Sequence, residues 1–270
     1  MIAPPPGTTV DSGLLEQTVA VAEDIARILR PCADPGLRIP GALWTVGEGA
    51  AHLALANELM ADLAAGSERR YGDGTPGSLA AANEESLADY PERDPAVLAE
   101  EVVRHARAFA DAAASRSADV PVLTPLGPMD LGTLACYLLT HMLGHGYDLA
   151  RATGRPHMVD AGRVGLALPF LTTAMPRILD PRAAAGHRAS YVIGLRGGQR
   201  FGVVLADGAV TVTADPPPRP DCVIVCDPVA FFLMALGRRG PWSALARGQV
   251  LASGRRPWLA PRFPAYFTAP

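Results

Sequence analysis

His141 and His145 stand four residues apart in a segment whose apolar positions Leu134, Leu138 and Leu149 fall in the same stripe. On a helix, residues at i and i+4 share one face about a turn apart, so both imidazoles point toward whatever that helix packs against. A buried imidazole needs a partner, and a backbone carbonyl or a metal ion can provide it. His52 lies on a second predicted helix, in line with Thr45, Glu48, Leu55 and Leu59, and offers a third imidazole from a facing element. Three neutral imidazoles suit a divalent metal, with Zn²⁺ first and nickel, iron or cobalt as alternatives. They leave a coordination position open for a substrate, which is the arrangement of a catalytic centre.

The neighbours narrow the chemistry. Met142 follows His141, so no carboxylate base sits between the ligands as in HExxH, and peptide hydrolysis is not expected. Asp148, three residues past His145, and Glu48, one turn before His52, are placed to accept hydrogen bonds from ligand imidazoles; Asp148 can equally bond a nearby loop or arginine. His105 falls on the Leu98, Val102 and Phe109 face and reads as a core histidine bonded within the fold, while His157 and His187 fall in loops. Cys136 precedes His141 by five residues, a rotation of about 140° away from the ligand line. Cys32, Cys136, Cys222 and Cys226 lack metal-ligand spacing, and Cys222 and Cys226 share one face of an apolar strand as small core residues. Any thiol in the mechanism therefore comes from outside the chain.

These residues must be positioned by helices, and the sequence supplies them. Leu15, Val19, Ala22, Ala26 and Leu29 predict an amphipathic helix from Ser12 to Arg30, stopped by Pro31. Thr45 with Glu48 is a capping box ahead of a helix reaching about Ala65, and Asp94-Pro95 opens one of roughly Ala96 to Ala114. Asp130 caps a helix that continues to Thr153, where Gly154 and Pro156 end it. Four such helices make a bundle. Glu68 to Gly77 and Pro121 to Pro128 read as loops, and Ser78 to Asp89 as a short helix.

Past Arg188 the period changes to that of strands. Arg188 to Arg196, Phe201 to Leu205, Ala209 to Thr213 and Cys222 to Cys226 are predicted strands, the first three joined by turns at Gly197-Gly198 and Asp207-Gly208. Helices over Val229 to Leu236 and Pro241 to Ala246 follow, and Gln249 to Ala252 returns to the sheet. The fold class is thus α plus α+β: a helical bundle over residues 1–160, a connecting helical segment over 161–187 interrupted by Pro169 and Pro176, and a small α+β domain over 188–270.

Composition sets the outer limits. A chain of 270 residues exceeds the usual single domain of about 100–200. The net charge of −3 supplies no footprint for nucleic acid. All 24 basic residues are arginines, which excludes lysine Schiff-base and phosphate-loop lysine mechanisms. An anionic substrate must be held by arginine, and Arg69, Arg70 and Arg93, between the second and third long helices, are the candidates. Met1 to Val10 is proline-rich without a signal peptide's basic start, and stretches such as Val164 to Leu171 are too short to span a bilayer. A cytoplasmic monomer or homodimer with no membrane partner is expected.

The stretches Trp44-Thr-Val-Gly-Glu-Gly-Ala-Ala-His52-Leu-Ala and His141-Met-Leu-Gly-His145-Gly-Tyr-Asp148-Leu-Ala-Arg-Ala-Thr-Gly-Arg-Pro156 resemble the signature segments of the mycothiol-dependent maleylpyruvate isomerase family. That resemblance implies a DinB-like four-helix bundle with its metal on His52, His141 and His145. The isomerases often carry a glutamate where this chain has His141, so the pattern here is the three-histidine, DinB-like one. The tail from Asp227-Pro-Val-Ala-Phe-Phe-Leu-Met-Ala-Leu-Gly to Ala246-Arg-Gly-Gln-Val-Leu-Ala-Ser-Gly resembles a sterol carrier protein-like domain. Together the resemblances imply metal-dependent chemistry with mycothiol on a small electrophilic substrate, either isomerisation or S-transfer. The alternative is a non-catalytic protein that holds an apolar ligand in its C-terminal domain.

Overall fold

The computed structural model describes residues 8–268, so Met1 to Gly7 of the proline-rich start lie outside the described residues. The chain divides into one unit ending at Val159 and another beginning at Asp160.

The first unit is built on α1 (Ser12–Leu29), α2 (Val46–Ala65), α3 (Leu79–Asp89), α4 (Pro95–Ala114) and α5 (Leu131–Ala152). Side-chain caps set the helix starts. Asp11 accepts from the Leu14 N–H, Asp94 from Ala96 with Pro95 in the first turn, and Asp130 from Thr133. Gly66, at φ 98°, ends α2 in the left-handed conformation that a side chain would strain. Helix α4 packs on α1 and α2, and α5 packs on the same two from the other side, which closes a four-helix ring with α3 as an addition to α2. Leu29, Leu53, Leu98, Phe109 and Leu138 fill its centre with no exposed surface, each worth about 1.5–3 kcal/mol of burial.

The segment expected as a loop over Pro121 to Pro128 is instead most of a hairpin, β1 (Pro121–Thr124) with β2 (Gly127–Asp130). Its alternation of buried positions, Val122 and Thr124 against Gly127 and Met129, is only two residues deep per strand and is masked by its prolines. Gly127, at φ 91°, and the Thr124 hydroxyl donating to its carbonyl close the turn.

The second unit opens with α6 (Ala161–Ala174), which packs against α7 (Pro228–Ala235). Pro169 does not interrupt it. The proline removes one N–H from the ladder and the helix continues, with the Thr172 and Thr173 hydroxyls donating to the Pro169 carbonyl. The strands β3 (Ala189–Leu195), β4 (Arg200–Ala206), β5 (Ala209–Thr213), β6 (Cys222–Cys226) and β7 (Val250–Ser253) form one sheet in the order β5-β4-β3-β6-β7. Only the β3–β6 pairing is parallel. Asp207 and Gly208, at φ 56° and 73°, make the tight turn between β4 and β5. Asp227 caps α7, and α8 (Pro241–Ala246) precedes β7. Burial pushes the Cys222 and Cys226 thiols up to about 11 and about 12, as core cysteines require. A 3₁₀ helix over Pro257–Tyr266, which no sequence pattern announced, covers β6 and β7.

His187 joins this unit's parts, its Nε2 lying 2.8 Å from the Tyr191 hydroxyl and its Nδ1 3.2 Å from that of Tyr266. Burial, then Arg256 and Arg262, hold its pKa below the ordinary 6.5. Folding thus favours the neutral ring, and its contribution is complete above about 6.5 and lost as pH falls from there through the lower folded value. In urea titrations, His187→Gln is expected to lose less stability between pH 7 and pH 5 than the parent; equal losses would show that His187 does not couple folding to pH.

The architecture is α plus α+β, a helical bundle followed by a small α+β unit. No helix among the described residues is long and apolar enough to cross a membrane.

Candidate metal centre

The capping box starts α2 so that His52, about two turns in, lies on the face that packs against α5. The stripe of α5 places Leu134, Leu138 and Leu149 fully inside and brings His141 and His145 onto the same side as His52. One ring nitrogen from each histidine lies within 4.8 Å of the others. His52 Nε2 and His141 Nε2 are 3.0 Å apart, and the three ring centres are separated by 4.9, 4.9 and 4.6 Å. Zn–N bonds of about 2.0–2.1 Å in a tetrahedron put ligand nitrogens about 3.3 Å apart, so the three side chains fit one ion with small ring rotations.

His52 is 6% exposed, and burial pushes its pKa down to about 4, which keeps its lone pair available at neutral pH. Tyr137, a turn before His141 on α5, stands edge-on to that ring, its hydroxyl pushed well above the usual range by burial. The structure adds a residue to which the sequence assigned no role. The indole of Trp44 lies 4.7 Å from the His52 ring and 6.0 Å from that of His145. Its signal in the sequence was an aromatic residue immediately before a helix N-cap, a position that commonly packs back on the first turns.

The other candidates are distributed differently. Asp148 is buried with a carboxylate oxygen 3.9 Å from His145 Nδ1, longer than a hydrogen bond. Glu48 completes the capping box, accepting from the Thr45 N–H at 2.7 Å and its hydroxyl at 3.0 Å, bonds that hold its pKa below the usual carboxylate range. Its carboxylate thus serves the helix start. Arg69 pairs with Asp62 at 2.8 Å and Glu58 at 3.3 Å, and Arg70 is exposed. Arg93 donates to the carbonyls of Leu87, Tyr90 and Glu92, tying down the turn between α3 and α4. Its removal leaves three carbonyls without their charged donor, so Arg93→Ala is expected to cost roughly 1–3 kcal/mol while metal affinity stays unchanged. Denaturant unfolding alongside metal titration checks this, and a stable variant with weakened metal binding would reverse the assignment. His105 is half-buried on α4, its pKa lowered by burial and by Arg104, and does not join the triad.

The family model of the mycothiol maleylpyruvate isomerase N-terminal domain matches residues 18–150, a span that contains all three histidines. No curated protein sequence compared with the chain matches it. Among solved structures, the fold is similar to crystal structures of the mycothiol-dependent maleylpyruvate isomerase and of a histidine-to-alanine mutant of it. The TM-scores are 0.50 and 0.53, with 16% identity over 88% of this chain and 92% of each of those. Most of the helical ring and all of the triad lie inside the span, residues 18–150, that is similar to the mycothiol maleylpyruvate isomerase N-terminal domain.

Proposed function

We propose that the protein is a metal-dependent enzyme that uses a low-molecular-weight thiol, mycothiol, to isomerise a small electrophilic substrate or to transfer sulfur to it. The observation that carries this reading is the convergence of His52, His141 and His145 from two helices, their ring nitrogens within 4.8 Å, inside the span that the isomerase N-terminal domain model matches. His52, kept neutral by burial, and the turn-spaced pair on α5 would hold the ion, Zn²⁺ first and nickel, iron or cobalt as alternatives. A divalent cation there would supply the charge that lowers the pKa of an incoming thiol from about 8.5.

The rest falls to the chain. Trp44 and Tyr137 wall the site with aromatic surface and limit water around it. The Asp148 carboxylate lies 3.9 Å from His145 Nδ1, where its charge would favour a proton on that nitrogen. Cys136 is buried on α5 away from the ligand line, so the sulfur nucleophile is external. For isomerisation that sulfur adds to a conjugated double bond, the resulting single bond rotates, and the sulfur leaves; in transfer the new carbon–sulfur bond is kept. With Arg69 and Arg93 engaged by the chain, Arg70 is the most available of the three arginines for an anionic group. A thiol-based chemistry and four cysteines without a disulfide fit a cytoplasmic location.

The test is incubation of the metal-loaded protein with maleylpyruvate, with and without mycothiol, followed by NMR. Thiol-dependent conversion without net loss of thiol supports isomerisation, and stoichiometric thiol consumption supports transfer. Metal-loaded protein that converts the substrate equally well without thiol would overturn the thiol requirement.

A further inference from the structure

We infer that Trp44 is a positioning residue of the metal centre: its indole is the surface that fixes the ring planes of His52 and His145. The inference rests on the metal-binding reading of the triad and goes beyond it by assigning the element that orients the ligands.

A histidine's outer side-chain torsion is broad, so a helix places an imidazole without fixing its plane; the plane is set by what the ring packs against. His52 and His145 sit on different helices, and Trp44 touches both. It lies tilted by 45° at 4.7 Å from His52, and within 30° of parallel at 6.0 Å from His145. One rigid indole thus constrains two rings that must aim at a common point.

The backbone that carries Trp44 is held at several places. The Ile39 N–H donates to the Trp44 carbonyl at 3.1 Å, and the Val46 N–H to the Leu37 carbonyl at 2.8 Å. Arg38 bridges to Thr45, which is itself the N-cap of α2. Ile39 is buried against Gly49, three residues before His52, where a Cβ would come within 2.8 Å of the Ile39 methyl. The glycine lets this loop lie directly on α2, so Trp44 is registered to the helix that bears His52. The half-buried indole covers imidazole faces that would otherwise meet water.

Removing a group that orients ligand imidazoles typically weakens metal binding about 10–100-fold. The experiment is titration of the metal-stripped, full-length protein with Co²⁺, read by its visible absorption bands and by intrinsic fluorescence. Trp242 and Trp258 are exposed in the second unit, so fluorescence lost in Trp44→Phe identifies the Trp44 signal. Wild-type protein is expected to bind Co²⁺ with quenching of the Trp44 emission. Trp44→Phe should keep the bands and hold affinity within about threefold, because a planar face remains. Trp44→Ala should bind about 10–100-fold more weakly with altered bands. If the alanine variant does not fold, Trp44→Leu, which keeps bulk without a planar face, should show the same weakening. Wild-type affinity and bands in the non-aromatic variants would overturn the role of Trp44 and leave the triad standing. Absence of Co²⁺ binding by the wild type would remove the metal centre itself.

Discussion

Alanine in place of His52, His141 or His145, one substitution at a time, is expected to strip the protein of its metal and of its activity. Three imidazoles are the whole of the histidine, cysteine and carboxylate cluster that could hold an ion among the described residues, so none has a substitute within reach. Loss of the ion removes several kcal/mol of charge stabilisation, which at 1.36 kcal/mol per decade is a rate loss of roughly 10³-fold. The fold should survive, because His141 and His145 are only partly buried and the centre of the bundle is apolar. His141→Glu sharpens the test. A carboxylate at that position can still ligate Zn²⁺, so this variant should keep most of the metal that His141→Ala loses. Metal analysis of the purified variants, with circular dichroism as the folding check, decides the matter; a full equivalent of metal in all three alanine variants would show that the ion is held elsewhere.

The second large effect is expected at Gly146, the residue after His145. A Cβ there would lie 2.9 Å from Met158 Sδ and 3.0 Å from Ile25 Cγ1, so the absence of a side chain lets α5 approach α1. A mid-helix glycine costs about 0.5–1 kcal/mol relative to alanine, and close packing is what offsets that cost. Alanine can be accommodated in part, because the Met158 chain is flexible and the backbone gains helix propensity. Valine cannot. Its branches would meet Ile25, which is wholly buried, and overpacking of this kind costs about 1–3 kcal/mol. Displacing α5 also moves His145, so Gly146→Val should weaken metal binding as well as lower the unfolding midpoint, with Gly146→Ala milder on both. A valine variant as stable as the parent would mean that α1 and α5 are not in the contact described.

Much of this molecule was legible without a structure. The caps at Thr45, Asp94 and Asp130 fixed where three helices start, because an N-cap is a local exchange between one side chain and the next turn's N–H groups. The period of α5 put His141 and His145 on one face, and Asp207-Gly208 marked a turn that needs positive φ. What depends on segments distant in the chain was not legible in the same way. That Pro121 to Asp130 is a hairpin follows from two very short strands finding each other, and that Pro169 sits inside a helix follows from α6 being held by packing against α7.

Within the site, local pattern determined which residues share a face, and tertiary structure decided which of them meet. His52 and His141 are 89 residues apart, and no periodicity encodes their 3.0 Å separation; the packing of α2 on α5 does. The same holds for polar partners. Glu48 and Arg93 looked available for the site in sequence, but a charged group bonds the nearest satisfiable donor or acceptor, and for these two that was the backbone around Thr45 and the Leu87 to Glu92 turn. Trp44 gained its place from Gly49, whose missing Cβ lets the preceding loop lie on α2. The sequence by itself determined the candidate histidines, their helical spacing and the elements that carry them, because those are set by contacts a turn or two long. Only the tertiary structure decided that an indole covers two imidazoles and that two charged side chains hold loops, because those outcomes depend on which groups packing brings within about 3–6 Å.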